Sequence, residues 1–164
     1  MHQVYLSLGS NIQPEINLPR AVELLYEHGM VRRVSEAWES EAVGSDGPNF
    51  LNACALFITP LLQSELKEQV IHPIETKLGR KRSSDKNAPR TIDIDVVLFD
   101  EQLCDAKFWK QAFVIIPLAE IHPEYQNPVT QERITETAAR LRQEVWMETR
   151  PGMLARFNRT SRTS

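Results

Sequence analysis

Val4, Leu6 and Leu8 alternate with Tyr5 and Ser7, the period of two that predicts a strand. Gly9-Ser10-Asn11 breaks it. Asn17 is placed to cap a helix whose Leu18, Ala21, Val22 and Leu25 form an i, i+3, i+4, i+7 stripe, and Gly29 ends that helix. Residues 30–40 read as a second strand anchored by Val31, Val34 and Trp38. Gly44-Ser45-Asp46-Gly47-Pro48 reads as a loop, and Phe50 to Thr59 as a third strand. A helix follows from about Gln63 to Leu78. It contains Pro73, whose missing N–H bends a helix or costs stability. Residues 80–89 are polar and basic and read as a mobile loop. Thr91 to Phe99 is a strand, Ala112 to Ile116 another, stopped by Pro117, and Glu132 to Val145 a late helix.

The first six elements run strand, helix, strand, strand, helix, strand. That order predicts an α+β chain with a ferredoxin-like βαββαβ core, its sheet largely antiparallel and its helices packed on one face. The length of 164 residues suits one domain, and 41% hydrophobic with 25% charged residues excludes global disorder. The longest apolar run, Ala112 to Ala119, is too short to span a membrane. The amino end lacks the basic and apolar regions of a secretory signal. Cys54 and Cys104 lie 50 positions apart, which excludes a disulfide scaffold and a cysteine zinc site and suits a reducing cytoplasm.

A net charge of −3 argues against a dedicated nucleic-acid binder. Its distribution is uneven. Residues 150–164 hold Arg150, Arg156, Arg159 and Arg162 and no acid, so they carry +4 and residues 1–149 carry −7. The expectation is a single domain over 1–149 followed by a basic, flexible tail over 150–164. A second basic run, Arg80, Lys81, Arg82, Lys86 and Arg90, is opposed only by Asp85 and directly precedes two aspartates.

Those aspartates carry the chemistry. On a strand, Asp93 and Asp95 share a face, while Ile92, Ile94 and Val96 line the other. Adjacent carboxylates repel, and a magnesium ion resolves this while keeping sites for water and phosphate. The preceding arginines complete a polyphosphate clamp. The alternative is a solvated strand face paired with the arginine loop. Phe50 and Asn52 share a face in the same way, a stacking surface beside an amide that suits a heteroaromatic ligand, or else a core ring beside a strand-end amide. No GxxxxGK[ST] sequence is present, so a P-loop is excluded. His72 and His122 lack metal-ligand spacing and read as structural. The serines and cysteines form no nucleophile-elbow or Cys/His arrangement.

The segment Lys86-Asn87-Ala88-Pro89-Arg90-Thr91-Ile92-Asp93-Ile94-Asp95-Val96-Val97 resembles the signature of the 6-hydroxymethyl-7,8-dihydropterin pyrophosphokinase family. Tyr5 to Asn11, Glu41 to Gly44, Phe50 to Ala53, Ile74 to Arg80 and Pro117 to Ile121 match the family as well, so the resemblance covers about residues 4–145. It implies a ferredoxin-like enzyme of folate biosynthesis that moves pyrophosphate from ATP to the dihydropterin and releases AMP. By this resemblance Asp93 and Asp95 would hold two magnesium ions on the ATP phosphates. Phe50 and Phe113 would sandwich the pterin, Asn52 would bond its edge, and Ser40 to Val43 would wall the pocket. Glu75 and Val96 would lie by the nucleotide. Arg80, Arg82 and Arg90 would meet phosphates, with Arg82 on a closing loop that excludes water. The implied chain is a monomer or weak dimer that acts on small molecules.

One segment departs from the family. Members usually carry a longer stretch after the Asp-x-Asp strand, with a Pro-His pair and an arginine that contact ATP. Here Cys104-Asp105 stands at the Pro-His position and Gln111 where the arginine is expected, with Lys107 and Lys110 nearby. Two readings follow: a working pyrophosphokinase with a remodelled ATP site, or a divergent paralogue with lost or altered transfer. A ferredoxin-like nucleic-acid module is a third class, but the strands show no RNP-like aromatic pattern.

Overall fold

The computed structural model describes residues 1–42, 44, 46–81 and 88–158. Its strands are β1 His2–Ser10, β2 Met30–Val34, β3 Ala37–Ser40, β4 Phe50–Thr59, β5 Asp93–Phe99, β6 Gln102–Leu103 and β7 Met147–Arg150. Its α-helices are α1 Pro14–His28, α2 Gln63–Leu66, α3 His72–Lys77, α4 Ala112–Ile121, α5 Ile134–Glu144 and α6 Ala155–Asn158. The sheet runs β6-β5-β1-β4-β3-β7, with β2 also on β4, and every pairing is antiparallel. The last strand of the βαββαβ unit thus lies beside the first, with β1 and β4 at the centre, and the expected α+β ferredoxin-like core is present.

Both faces of the sheet are covered, where helices were expected on one. Val4, Leu6 and Leu8 of β1 meet Leu18, Val22 and Leu25 of α1 on one side. Tyr5 and the β4 residues Cys54, Leu56 and Ile58 meet Ile115 and Leu118 of α4 on the other. The second layer arises because Ala112–Ile121 is a helix rather than a strand stopped by Pro117. An unbroken apolar run fits a buried helix as well as a buried strand, and packing on the sheet decides between them. Gln111 starts the helix, its carbonyl accepting from the N–H groups of Val114 and Ile115.

Two smaller expectations are also corrected, and the helix expected from about Gln63 to Leu78 is present. Helix α1 begins at Pro14, a favoured first-turn residue, after Gln13 in the left-handed region (φ 43). Asn17 is therefore buried inside the first turn, where its Nδ2 donates to the Ile12 carbonyl at 2.6 Å. The strand expected over 30–40 breaks at Ser35, whose N–H donates to the Cys54 carbonyl while its hydroxyl accepts from the Cys54 N–H, both at 2.9 Å. The side chain replaces a ladder partner, and the register shifts by one residue between β2 and β3. The helix over 63–77 takes up Pro73 through a π-turn, Lys67–Ile71, with the His72 N–H reaching the Lys67 carbonyl.

The boundary expected after residue 149 falls inside β7. Beyond it Leu154 and Phe157 join the α1-side core, and Phe157 packs on Tyr26 at 5.7 Å between ring centroids. Arg156 pairs with Glu23 and lies over Phe157. Two apolar anchors in this stretch outweigh its arginine content. Residues 159–164 lie outside the described residues, as do positions 82–87 of the expected mobile loop.

Candidate functional site

Directly paired residues of neighbouring strands share a face. Asp93 pairs with Gly9, Gly9 with Asn52 and Asn52 with Trp38, which makes one row across β5, β1, β4 and β3. Asp95 pairs with Ser7 in the adjacent row, and Phe50 pairs with Ser40. All lie on the face that α4 covers further along, at the end of the sheet where β1 leaves and β4 and β5 enter. The helix stops short of this end and contributes Phe113 from its first turn.

Two joined cavities occupy the space. The smaller, about 240 Å³, is lined by Gly9, Ser40, Glu41, Ala42, Phe50, Asn52 and Phe113. The larger, about 830 Å³, is lined by Glu75, Arg80, Lys81 and Val96, and also by Gln63, Lys67, Ile71, His72, Cys104, Asp105, Lys107 and Phe108. Ala88, Arg90, Asp93, Asp95, Gln111 and Phe113 line both, so the carboxylate pair stands at their junction.

In the smaller cavity the Asn52 amide is fixed. Its Nδ2 donates to the Trp38 carbonyl at 3.2 Å and to the Ser40 hydroxyl at 2.8 Å. That leaves Oδ1 as the acceptor of this side chain, directed over Gly9. A Cβ at position 9 would lie 3.2 Å from that oxygen, close enough that the amide would have to give by a few tenths of an ångström.

At the junction Asp93 is paired through both oxygens, Oδ1 with Arg80 Nη1 and Oδ2 with Arg90 Nη1, each at 3.0 Å. The same Arg80 nitrogen donates to Glu75, which is buried on α3 and also accepts the Ile94 N–H at 3.2 Å. Arg80 Nε is buried and has no hydrogen-bond partner among the described residues. Asn11 seats the strand entry: its N–H donates to the Arg90 carbonyl at 3.1 Å, and its Oδ1 accepts the Arg90 N–H at 2.8 Å. Asp95 behaves differently from Asp93. Burial, and then the neighbouring Asp93 charge, push its carboxyl up to about 6, with Lys107 and Arg80 acting in the opposite direction.

Among the described residues no group of three or more His, Cys, Asp or Glu side chains could hold a metal by itself. The two aspartates fit a hard cation that completes its shell with water and substrate phosphate, the usual mode for magnesium.

Ser40, Phe50, Asn52 and Phe113 therefore come together in one cavity, and Glu75, Arg80, Arg90, Asp93, Asp95 and Val96 in the other. Val43 and Arg82 lie outside the described residues. His72 is corrected from a structural residue to an exposed one lining the larger cavity. His122 is structural, stacked on Tyr5 at 4.8 Å and bonded to Glu101. The lining residues Lys67 and Ile71 escaped the sequence reading. Their spacing of four and eight from Glu75 was the available signal, since it sets all three along one side of the helix.

A family model for 7,8-dihydro-6-hydroxymethylpterin-pyrophosphokinase (HPPK) matches residues 5–123. The Aquifex aeolicus protein named 2-amino-4-hydroxy-6-hydroxymethyldihydropteridine pyrophosphokinase is 34% identical over 146 residues, spanning 83% of this chain and 90% of its own. The Bacillus subtilis protein of the same name is 34% identical over 149 residues, spanning 84% and 88%. Among solved structures, wild-type Plasmodium falciparum HPPK-DHPS with pteroate aligns with a TM-score of 0.67 at 11% identity, over 99% of this chain. The chain spans 45% of the length of that protein, and the likeness to it shows the fold. With a family match running from β1 past the end of α4, and two bacterial relatives matched over most of both chains, this chain belongs to the 7,8-dihydro-6-hydroxymethylpterin-pyrophosphokinase family.

Proposed function

We propose that this chain transfers the β,γ-pyrophosphoryl group of ATP to the hydroxymethyl oxygen of 6-hydroxymethyl-7,8-dihydropterin. The new bond joins that oxygen to the β-phosphorus, the bond between the bridging oxygen and the β-phosphorus breaks, and AMP leaves as the hydroxyl proton is lost. The observation that carries the reading is the meeting of two unlike cavities at Asp93 and Asp95. One is small and ring-walled; the other is large and lined by cations.

Each side chain then has a task. Phe50 and Phe113 hold the flat ring of the pterin, and Asn52 Oδ1 accepts a hydrogen bond from its edge. Ser40 belongs to the wall of that pocket, and Val43 is assigned to pterin binding with it. Glu75 and Val96 border the nucleotide. Arg80 and Arg90 stand at Asp93 and extend to the phosphates that arrive beside it. Arg82 is assigned to the same phosphates from the segment between them. Asp93 and Asp95 would hold two magnesium ions together with ATP, and the chemistry supplied there would be neutralisation of phosphate charge and polarisation of the β-phosphorus. Phosphoryl-type transfer leaves little covalent work to the protein, so positioning and charge are the catalytic contribution.

The net charge of −3 supports action on small molecules rather than nucleic acid, and the chain is read as a monomer or weak dimer. The two free thiols suit the cytoplasm. No helix among the described residues is long and apolar enough to cross a membrane. Nothing in the comparisons favours a divergent paralogue. The metal assignment is tested by calorimetric titration of Asp95→Ala with ATP and magnesium. The variant is expected to lose magnesium-dependent binding, and unchanged binding would remove the assignment.

A further inference from the structure

The segment between β6 and α4 sets a charge problem on the wall of the larger cavity. Asp105 and Gln111 both line it, and neither carries positive charge. Asp105 adds a negative one where a polyphosphate is to bind. Its carboxylate caps the 3-10 turn Ala106–Lys110, with Oδ1 accepting the Lys107 N–H at 2.9 Å.

The turn so fixed presents Lys107 to the cavity, while Lys110 of the same turn does not line it. The Lys107 ammonium is loosely engaged. It lies 3.9 Å from Asp105 Oδ2 and 5.4 Å from the centre of the Phe108 ring, and its side chain is 63% exposed. Asp95 lines the same cavity, so the turn borders the space open to a phosphate chain at the carboxylate pair.

We propose that Lys107 is a triphosphate-contacting residue of this chain, its ammonium moving from Asp105 to a phosphate oxygen when ATP binds. This rests on the pyrophosphokinase reading. Asp105 keeps its hydrogen bond to the turn throughout, so the turn holds its place while the ammonium changes partner. Lysine supplies a mobile point charge rather than the bidentate fork of arginine. The contact therefore adds affinity and leaves the geometry of transfer to Arg80 and Arg90.

The test is calorimetric binding of magnesium and a non-hydrolysable ATP analogue, with dihydropterin binding measured in parallel as the fold control. Lys107→Ala is expected to weaken analogue binding about ten- to a hundredfold, the loss of one charge-assisted contact. Lys107→Arg is expected to restore most of it, Lys110→Ala to change nothing, and Asp105→Asn, which keeps the cap without the charge, to tighten it. Pterin binding should be unchanged throughout, and the Lys107→Ala deficit should shrink as salt rises. Lys107→Ala binding as tightly as wild type, or Lys110→Ala losing as much, would overturn the proposal while leaving the pyrophosphokinase reading intact. A folded wild-type chain that binds pterin but no magnesium and analogue would overturn both.

Discussion

Gly9 leaves the space over which Asn52 directs its carbonyl oxygen: a Cβ at residue 9 would stand 3.2 Å from Asn52 Oδ1 and 3.7 Å from the Phe50 ring. Gly9→Ala therefore presses on the Asn52 oxygen assigned to the pterin and meets the Phe50 ring only at ordinary contact distance. The amide must give by a few tenths of an ångström, against its hydrogen bonds to Trp38 and Ser40. We expect pterin affinity to fall on the order of tenfold, the scale of one impaired hydrogen bond, with magnesium-ATP affinity held. Titration with each substrate separately checks it. An equal loss for both substrates would contradict the assignment of this cavity to the pterin.

The carboxyl of Asp95, pushed up to about 6 by burial and by Asp93, sets a pH dependence of defined sign. The folded chain holds this proton more tightly than the unfolded chain, whose ordinary value is 3.8. The group's contribution to stability is thus complete below about pH 4 and is lost as pH rises through about 6. Asp95→Asn removes that loss. Without magnesium the variant is expected to melt several degrees above wild type at pH 7, and the gap is expected to narrow at pH 5. A variant that melts lower at pH 7, or a gap independent of pH, would contradict the account.

Glu75 is a buried carboxylate whose partners include Arg80 and the Ile94 N–H. Taking away the guanidinium leaves a charge in the protein interior with much of its compensation gone. Arg80→Ala is expected to cost about 3 kcal/mol of stability in urea unfolding. The double variant with Glu75→Gln should recover a large part, since the amide needs no counter-charge. A double variant as unstable as the single would contradict the pairing.

Leu154 is buried against the α1-side core, beyond residue 149, where the sequence sets the end of the domain. Leu154→Ala should destabilise the chain by about 2–5 kcal/mol, as deletion of a buried leucine does. A cost below about 0.5 kcal/mol, the range of a surface substitution, would show that residues 151–158 are a tail.

Much of this was legible in the sequence because period two has little ambiguity where one face is polar. The Tyr5-Leu6-Ser7-Leu8 alternation located β1, and the Asp93-Ile94-Asp95 alternation gave both a strand and a carboxylate pair in one reading. Ala112–Ile121 was not legible, because a run apolar on every side has no phase to read. Strand β7 was hidden for the opposite reason: Met147 is buried while Glu148, Thr149 and Arg150 are exposed, and the pairing with β3 is made by backbone. The start of α1 depends on a left-handed Gln13, which no side-chain pattern announces. In the site, the carboxylates, rings and arginines stood out by type. Lys67 and His72 did not, because only a helix facing the cavity gives them a part in it.

Transfer of a diphosphate unit at the junction of the two cavities is read out by phosphorus NMR of the wild-type chain with ATP, magnesium and 6-hydroxymethyl-7,8-dihydropterin. AMP and a pterin diphosphate are expected in equal amounts, with neither formed when pterin or magnesium is left out. ADP with a pterin monophosphate, or ATP consumption indifferent to the pterin, would contradict it.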